Sequence, residues 1–577
     1  MSRDWIIQPP YPDLDQTAAH WNIPPLLAQL LLNRGVATAD QARAFMNPQL
    51  AGLSPVDTLP GATEAARLIV QAVRAQKRIV VYGDYDVDGI TATAILWRML
   101  RLIGAQVTYY VPHRIDEGYG LNTDAVTALA DDGADMIITV DCGINSPQAA
   151  QLARKRGLQL IITDHHPFAA TPDHANVVVH PRIGGDTPRA DTDLSGAGVA
   201  FKLAWAIGLT HAGGDRVSPQ ARTFLTHALS LAALGTIADI VPLTGDNRIL
   251  ARAGLARIRS CTFEGIKALL EQAGLSGNAV RDEDVAFKLA PRINAAGRMG
   301  HARLAIELLT LDEPARAREI SAYLDDHNRA RQSIERKLTR VVCEQVEKNG
   351  MAGDAHRAIV VAGENWHAGV IGIVAAKVVD RYRKPAVVIC LDNGTGQGSA
   401  RSVPGFALHD ALDRCDDHLI SHGGHAMAAG LRIRSDAVDA FTDAFVRIAD
   451  NTLSGAALRP KLRLDGITDL AQLDYRTALS ITNLGPFGQA HPRPRFATGF
   501  LELAAEPRCV GKNANHLQLT LSQDGAVMKG IAFRAADKID ALQTHRRCRV
   551  AFEPIINTFR GQSSVELQIV DFKFPDE

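Results

Sequence analysis

Apolar runs of strand length alternate with helical patterns between about residues 62 and 182. The candidate strands are RIVVYGD (78–84), QVTYYVP (106–112), MIITVD (136–141), LQLIITD (158–164) and NVVVHP (176–181). The segments between them have apolar residues at helical spacing and a glycine at or near the end. Strands that are apolar on both faces and alternate with helices predict a doubly wound parallel sheet, so the fold class is α/β.

The pattern changes beyond this sheet. Residues 195–310 are predicted to be mostly helical, and the polar segment that begins at residue 314 has Leu324, Leu338 and Val342 at helical spacing, which predicts a long connecting helix. A second, smaller α/β unit follows, and short alternating runs near the C-terminus predict a β-barrel. We divide the chain into an N-terminal segment (1–50), a main α/β domain (51–313), a connecting helix (314–349), a smaller α/β domain (350–455) and a β-barrel domain (456–577).

Composition adds limits on the class of protein. The chain has 577 residues, enough for about three or four domains. We expect neither a signal peptide nor a membrane span, because there is no apolar run of about 18 residues. Seven scattered cysteines without a Cys-x-x-Cys pair favour the reducing cytoplasm. The net charge of −1 neither supports nor excludes a nucleic-acid partner.

The stretch GDYDVDG (83–89) has three carboxylates on alternate residues, followed by a glycine. A calcium-binding EF-hand loop begins in the same way, but it needs an acid at its twelfth position and a helix on each side. Counted from Asp84, the twelfth position is Ile95, and the preceding residues RIVVY form a predicted strand. The sequence therefore excludes an EF-hand.

Two further predicted strands also end in residues that bind metals. Asp141 follows the third strand, and Asp164, His165 and His166 follow the fourth. One such residue would be an ordinary helix cap, but the carboxyl ends of parallel strands meet at one edge of a sheet. Acids gathered there would repel one another unless divalent cations lie between them. Asp239, within the apolar stretch ALGTIADIVPL, either caps a helix or joins this site.

A mixed set of aspartates and histidines favours Mg²⁺ or Mn²⁺ over a structural zinc site. Two such ions a few ångströms apart can activate a water molecule and stabilise both oxygens of an in-line phosphoryl displacement. The residues therefore predict hydrolysis of a phosphoester or a phosphoanhydride.

DYDVDG, VDCGIN, TDHHP and ADIVPL, in this order, resemble the four motifs of the DHH phosphoesterase family. The segments SGAGVAFKL, RINAAGRMGHARLAIELL, GSARSVPGF and SHGGHAMAAGL extend the resemblance to that family's bacterial single-stranded-DNA exonucleases over essentially the whole chain. The resemblance implies a metal-dependent 5′→3′ exonuclease of recombination and repair. It also implies a DHH catalytic domain (51–313), a DHH-associated substrate domain (350–455) and an OB-fold that binds nucleic acid (456–577).

The resemblance assigns roles to particular residues. The residues that it places in a two-metal site, with Mn²⁺ or Mg²⁺, are Asp84, Asp86, Asp88, Asp141, His165 and Asp239. Asp141 is placed to bridge the ions and is counted as catalytic together with His166, which either binds metal or transfers a proton. The resemblance leaves open how Asp84, Asp86 and Asp88 divide between the two ions.

The expected substrate-binding residues are Arg114, Arg298, Ser399, Arg401 and His425. Glycines near Ser399 and His425 let backbone N–H groups approach phosphate oxygens, and Arg401 adds a fork-shaped cation. An ordinary glycine-rich turn with a surface arginine is the alternative. In the predicted OB-fold, Phe533 and Phe559 either stack on bases or fill the core.

Three other functions fit parts of the pattern. Family members that hydrolyse small nucleotides, such as oligoribonucleases and cyclic-dinucleotide phosphodiesterases, tend to be shorter, and chain length also disfavours an inorganic pyrophosphatase. A non-catalytic DNA-binding relative would have lost metal ligands, whereas every motif here keeps its acids and histidines. We therefore expect a cytoplasmic monomer that binds single-stranded DNA with a 5′ end, with a helicase and a single-strand binding protein as further partners.

Overall fold

The structure is a computed structural model, and it describes residues 3–113, 117, 120–170, 173–184, 189–298, 301–455 and 459–575, with only the backbone of Arg298. The main α/β domain is built on five parallel strands. In spatial order they are Gln106–Tyr110, Arg78–Gly83, Met136–Val140, Gln159–Thr163 and Val177–Val179. The predicted parallel sheet is confirmed. The strand order reverses between Arg78–Gly83 and Met136–Val140, and ligands of such sheets bind at the carboxyl ends beside this point.

Helices cover both faces of this sheet. On one face lie Ala62–Arg74, Val87–Leu102, Gly196–Ala212 and Pro219–Ala238, and on the other lie Thr123–Asp131 and Pro147–Lys155. Two glycines bring helices close to the strand ends. A Cβ atom at Gly196 would lie 2.7 Å from Cγ of Asp141, and one at Gly235 would lie 2.4 Å from Oδ1 of Asp88. Any larger residue at either position would push an aspartate out of place.

The rest of the main domain is helical, as predicted. The helices are Gly245–Arg257, Glu264–Gln272, Asp282–Asp284, a π-helical turn at Val285–Leu289, Ala290–Arg298 and Ala302–Thr310. The connecting helix runs over Pro314–Lys348. Its first half adds Ile320 and Leu324 to the core of the main domain, and its second half adds Leu338 and Val342 to the core of the next. One helix thus belongs to two hydrophobic cores.

The second domain has a mixed five-stranded sheet. Its strands, in spatial order, are Leu419–Gly424, Ala428–Arg434, Thr395–Arg401, Ala386–Asp392 and Ile359–Glu364. Only the last two are parallel, and their connection is the helix Ala368–Tyr382. The helices Leu408–Asp413 and Val438–Thr452 complete the domain.

The C-terminal domain is a barrel, as predicted. Its strands are Phe496–Ala497, Leu501–Leu503, Arg508–Val510, His516–Gln523, Ala526–Ala532, Arg547–Phe559 and Gln562–Lys573, and two helices, Tyr475–Thr482 and Ile539–His545, accompany them. Pairing of Ala526–Ala532 with Gln562–Lys573, and of Gln562–Lys573 with Arg547–Phe559, closes the sheet on itself. Closure removes the exposed edges that an open sheet would have.

The N-terminal segment packs on this barrel domain. Its strand Asp4–Ile7 pairs in parallel with Lys461–Leu464, and its helices are Leu14–Trp21, Pro25–Asn33 and Ala39–Met46. Leu27 and Leu30 are buried in the same core as the barrel residues. Among the described residues, no helix combines the length and apolar character needed to cross a bilayer.

Candidate active site

The three aspartates of the DYDVDG loop lie where the strand Arg78–Gly83 ends and the helix Val87–Leu102 begins. Asp86 caps this helix, since its side chain accepts the N–H of Gly89 at 3.0 Å. Asp88 lies in the first turn and is buried. Its two oxygens accept the N–H groups of Gly196 and Ala197 at 2.6 and 2.9 Å. Asp88 therefore holds the start of a second helix against the first.

Asp141 and His165 face each other at the ends of neighbouring strands. Asp141 has a left-handed backbone, with φ of 62°, which is uncommon outside glycine and indicates local strain at a functional position. Its Oδ1 lies 3.0 Å from Nε2 of His165. The same nitrogen lies 3.5 Å from Oδ2 of Asp239, the residue at the C-terminal end of the helix Pro219–Ala238. Residues from three separate elements thus converge on one imidazole.

His166 is held by Asp164, a residue that the sequence analysis placed at this strand end but to which it assigned no role in the site. Nδ1 of His166 lies 2.7 Å from Oδ1 of Asp164, and the N–H of Ile144 donates to Oδ2 at 3.0 Å. Burial disfavours the charges of both groups, but their hydrogen bond outweighs it. The pKa of His166 is raised to about 9, and that of Asp164 is lowered. The Asp-His-His motif was the available signal, because its first residue is a carboxylate next to two imidazoles.

The other acids of this cluster repel one another. Burial, followed by the charges of Asp88 and other neighbouring aspartates, raises the pKa of Asp239 to about 9 and that of Asp141 well above its usual range. Burial and Asp86 raise the pKa of Asp88 to about 7. Burial lowers the pKa of His165 to about 3, so its ring is neutral and keeps a lone pair for a metal. Cations would relieve this repulsion.

The donor atoms fit divalent cations. Three overlapping groups each bring their ligand atoms within 4.8 Å of one another: Asp84, Asp86 and Asp141; Asp141, His165 and His166; and Asp88, His165 and Asp239. Carboxylate oxygens with imidazole nitrogens are a suitable ligand set for Mn²⁺ and Mg²⁺. The structure therefore brings all the predicted metal-site residues together, and Asp141 is shared by two groups.

A second candidate site lies in the smaller α/β domain. Ser399 and Arg401 line a cavity of about 320 Å³ with Gly423, Gly424 and the first turn of the helix Ala368–Tyr382. Nη1 of Arg401 donates to Oγ of Ser399 at 3.1 Å. A guanidinium beside a helix N-terminus, which carries a partial positive charge, suits a phosphate group.

The remaining predicted substrate residues have different positions. His425 is exposed in the turn that follows Leu419–Gly424 and does not line the cavity. Arg114 lies outside the described residues, and Arg298 ends the helix Ala290–Arg298, with its side chain outside the described part. Phe533 and Phe559 are 56% and 68% exposed, so neither fills the barrel core.

Comparison with known proteins places these sites in a family. Residues 78–236 match the DHH family, N-terminal domain; residues 355–451 match the DHHA1 domain; and residues 464–571 match the RecJ OB domain. The single-stranded-DNA-specific exonuclease RecJ of Bacillus subtilis is 36% identical over 98% of this chain and 70% of its own length. That of Escherichia coli is 33% identical over 98% of both chains.

A solved structure shares the whole architecture. RecJ of Thermus thermophilus in complex with Mn²⁺ superimposes with a TM-score of 0.84 and 31% identity, covering 100% of this chain and 80% of that one. The expected α/β fold, with its OB-fold barrel, is confirmed. With its three domain matches and its similarity over nearly the full length, the chain belongs to the RecJ family of single-stranded-DNA-specific exonucleases.

Proposed function

We propose that this chain hydrolyses the phosphodiester bonds of single-stranded DNA with two divalent cations, starting from a 5′ end. The observation that carries the proposal is the pairing of a buried aspartate–histidine cluster in one domain with a glycine-rich cavity around Arg401 in another. The RecJ of Thermus thermophilus has been solved with Mn²⁺ and with Mg²⁺, which supports the same cations here.

In this proposal, Asp141 would contribute to both cation positions. Asp84 and Asp86 would complete the first. His165, whose Nε2 lies 3.0 Å from Asp141 and 3.5 Å from Asp239, would complete the second together with Asp239. Asp88 would act by positioning, because both of its oxygens accept amide N–H groups. Bound cations supply an acidified water and neutralise the charge that develops on the phosphate.

His166 would hold a proton for the leaving oxygen. Its Nδ1 faces Asp164, and in this proposal Nε2 would be the ring nitrogen that meets the substrate. Despite its burial, the hydrogen bond with Asp164 raises the pKa of His166 in the cation-free protein, and a protonated ring is the state required of a general acid. Asp164 thus has a positioning role like that of a carboxylate behind a catalytic histidine.

The cavity around Ser399 and Arg401 would bind the terminal phosphate of the strand. A site that recognises the 5′ end and lies apart from the metals would determine which end of the strand is cut. The barrel would hold the rest of the strand, with exposed aromatics such as Phe533 and Phe559 as stacking surfaces.

In the cell, the enzyme would act in the cytoplasm as a monomer during recombination and repair. A helicase that separates duplex DNA and a single-strand binding protein that covers the product are the expected partners. Both would present the extended strand that a narrow cavity needs.

The decisive experiment compares three substrates with Mn²⁺ or Mg²⁺: 5′-phosphorylated single strands, blunt duplexes, and strands that are accessible only from the 3′ end. We expect nucleotides to be released from the first substrate alone. Equal degradation of the duplex, or digestion from the 3′ end, would overturn the proposal.

A further inference from the structure

Two large apolar side chains that line one cavity are exposed to solvent, and one of them directly follows Asp239 in the sequence. Ile240, the residue after Asp239, is 67% exposed, and Phe287 is 77% exposed. Both line one cavity of about 460 Å³. Large apolar surfaces that are left open beside a reaction centre usually mark a contact with a ligand.

The backbone is unusual at both residues. Ile240 has a left-handed conformation, with φ of 60°, which is a genuine outlier for a β-branched residue. Phe287 lies in the π-helical turn Val285–Leu289, a rare geometry that occurs frequently at functional sites. Strain of this kind persists where the surrounding structure enforces it. Two independent departures from regular geometry thus present two apolar groups to the same space.

The rest of the cavity wall indicates which part of a substrate fits. Arg493 lies 3.2 Å from Asp282 and 3.0 Å from Glu283, and Arg495 lies 2.8 Å from Glu553. Since these arginines are paired with carboxylates, the cavity suits a phosphate poorly. Gln489 and Gln568 also line the cavity, and their amides can donate to and accept from the edge of a flat polar ring.

We propose that Ile240 and Phe287, which we name the apolar shelf, stack against a nucleobase of the DNA strand whose backbone lies at the metals. The inference rests on the proposed exonuclease function. Thr236 and Ile237 on one side of Asp239, and Ile240 on the other, line the cavity, so the Ile240 end of the shelf lies close to Asp239. The opposite wall comes from the barrel domain, through Phe487 and Pro492, so the base would lie between two domains.

Stacking by the shelf would keep the strand aligned while each terminal nucleotide leaves. Stacking is tolerant of sequence because every base has an aromatic face. The shelf is therefore expected to contribute to the affinity for single strands and little to discrimination among bases. A duplex, whose bases are stacked on each other, would not use it.

The test combines Phe287→Ala with substrates that lack single bases. An abasic residue is placed at each position of a 5′-phosphorylated strand in turn, and kcat/KM is measured for the wild-type protein, Phe287→Ala and Ile240→Ala. We expect Phe287→Ala to lower kcat/KM on the normal strand by about tenfold. On the strand that lacks the stacking base, kcat/KM of Phe287→Ala should equal that of the wild-type protein. The matched control is Leu102→Ala, which removes an apolar side chain that is 44% exposed and does not line the cavity.

Two outcomes would overturn the proposal. Phe287→Ala and Ile240→Ala could leave the normal strand unaffected, or they could slow every abasic strand as much as the normal one, which would indicate a purely structural role. Circular dichroism melting of each variant separates the second outcome from unfolding. If the wild-type protein fails to degrade single strands at all, the exonuclease function itself is wrong, and that result is distinct from both.

Discussion

The metal cluster and the phosphate cavity are built in opposite ways. The cluster is buried, acidic and crowded, and its aspartates raise one another's pKa values. The cavity around Arg401 is open, rich in glycine and lined by a cation and a helix N-terminus. The first needs cations before it can accept a phosphate, whereas the second can attract one directly. In the proposed function, the cluster would carry out the chemistry and the cavity would recognise the strand end, so that each role can be removed alone.

Removal of Asp141 is expected to have the largest effect. Asp141→Ala deletes the carboxylate shared by two groups of ligand atoms, and a metal ion contributes several kcal/mol to the transition state. We expect hydrolysis of single-stranded DNA to fall by about a thousandfold or more. Release of nucleotides from a labelled strand measures the loss. The control is Asp410→Ala, which removes a carboxylate that is 70% exposed in the other domain. Comparable activity in the two variants would contradict the assignment.

Removal of Arg401 is expected to affect recognition alone. Arg401→Ala deletes charged hydrogen bonds to a terminal phosphate, so KM for 5′-phosphorylated strands should rise about ten- to hundredfold while kcat changes little. Strands with a 5′-hydroxyl should be much less affected. Arg434→Ala, at an arginine 67% exposed, is the matched control. An equal loss on both kinds of strand would place Arg401 outside the 5′-phosphate contact.

Changes of pH should separate the two regions further. In the cation-free protein, the pKa of Asp239 is about 9 and that of Asp88 about 7, so protons occupy the cluster near neutral pH. A cation must displace them, and its affinity should rise by up to about tenfold per pH unit between pH 6 and 9 for each proton displaced. The preference for a 5′-phosphate should stay constant above about pH 7, because the phosphate is then fully charged. Titration with Mn²⁺ at each pH, followed by electron paramagnetic resonance, measures the cation affinity. A cation affinity that is independent of pH would show that the pKa values of these carboxylates are not raised.

The smallest effect is expected at Gly372. A Cβ atom there would lie 3.0 Å from Oγ of Ser399 and 3.1 Å from Nη2 of Arg401, which is tight but faces movable side chains. Gly372→Ala should therefore raise KM by about threefold, because a small displacement of Ser399 and Arg401 would align them less well with the substrate. Gly214→Ala, where a Cβ meets nothing within 4 Å, should have no effect. A change in kcat rather than KM would link this helix to the chemistry.

Local patterns predicted the sheet, and they pointed to residues that the structure brings together at its edge. The alternation of apolar strands with helices gave the five parallel strands, and the rule that ligands meet at strand ends gave Asp84, Asp141 and His165. The prediction of the sheet succeeds because each strand and helix depends on residues that are close together in the sequence.

Contacts between distant segments were beyond the same reasoning. The pairing of Asp4–Ile7 with Lys461–Leu464 joins opposite ends of the chain, and no local pattern specifies it. The amide hydrogen bonds to Asp88 depend on how the helix that begins at Gly196 is placed. Phe287 is exposed within a π-helical turn, in a segment that the sequence analysis predicted only as mostly helical.

The connecting helix Pro314–Lys348 limits which insertions this architecture can tolerate. Its ends are anchored in two cores, and Arg329 and Ala330 near its middle are exposed. Each residue inserted there would turn one domain about 100° around the helix axis and move it about 1.5 Å. An insertion of one residue would change the direction of the cavity relative to the metal cluster, whereas one of seven residues would nearly restore that direction at a greater distance. The length of this helix therefore sets the rotation of one domain relative to the other. A change in length preserves that rotation only in steps of about seven residues, which is two helical turns.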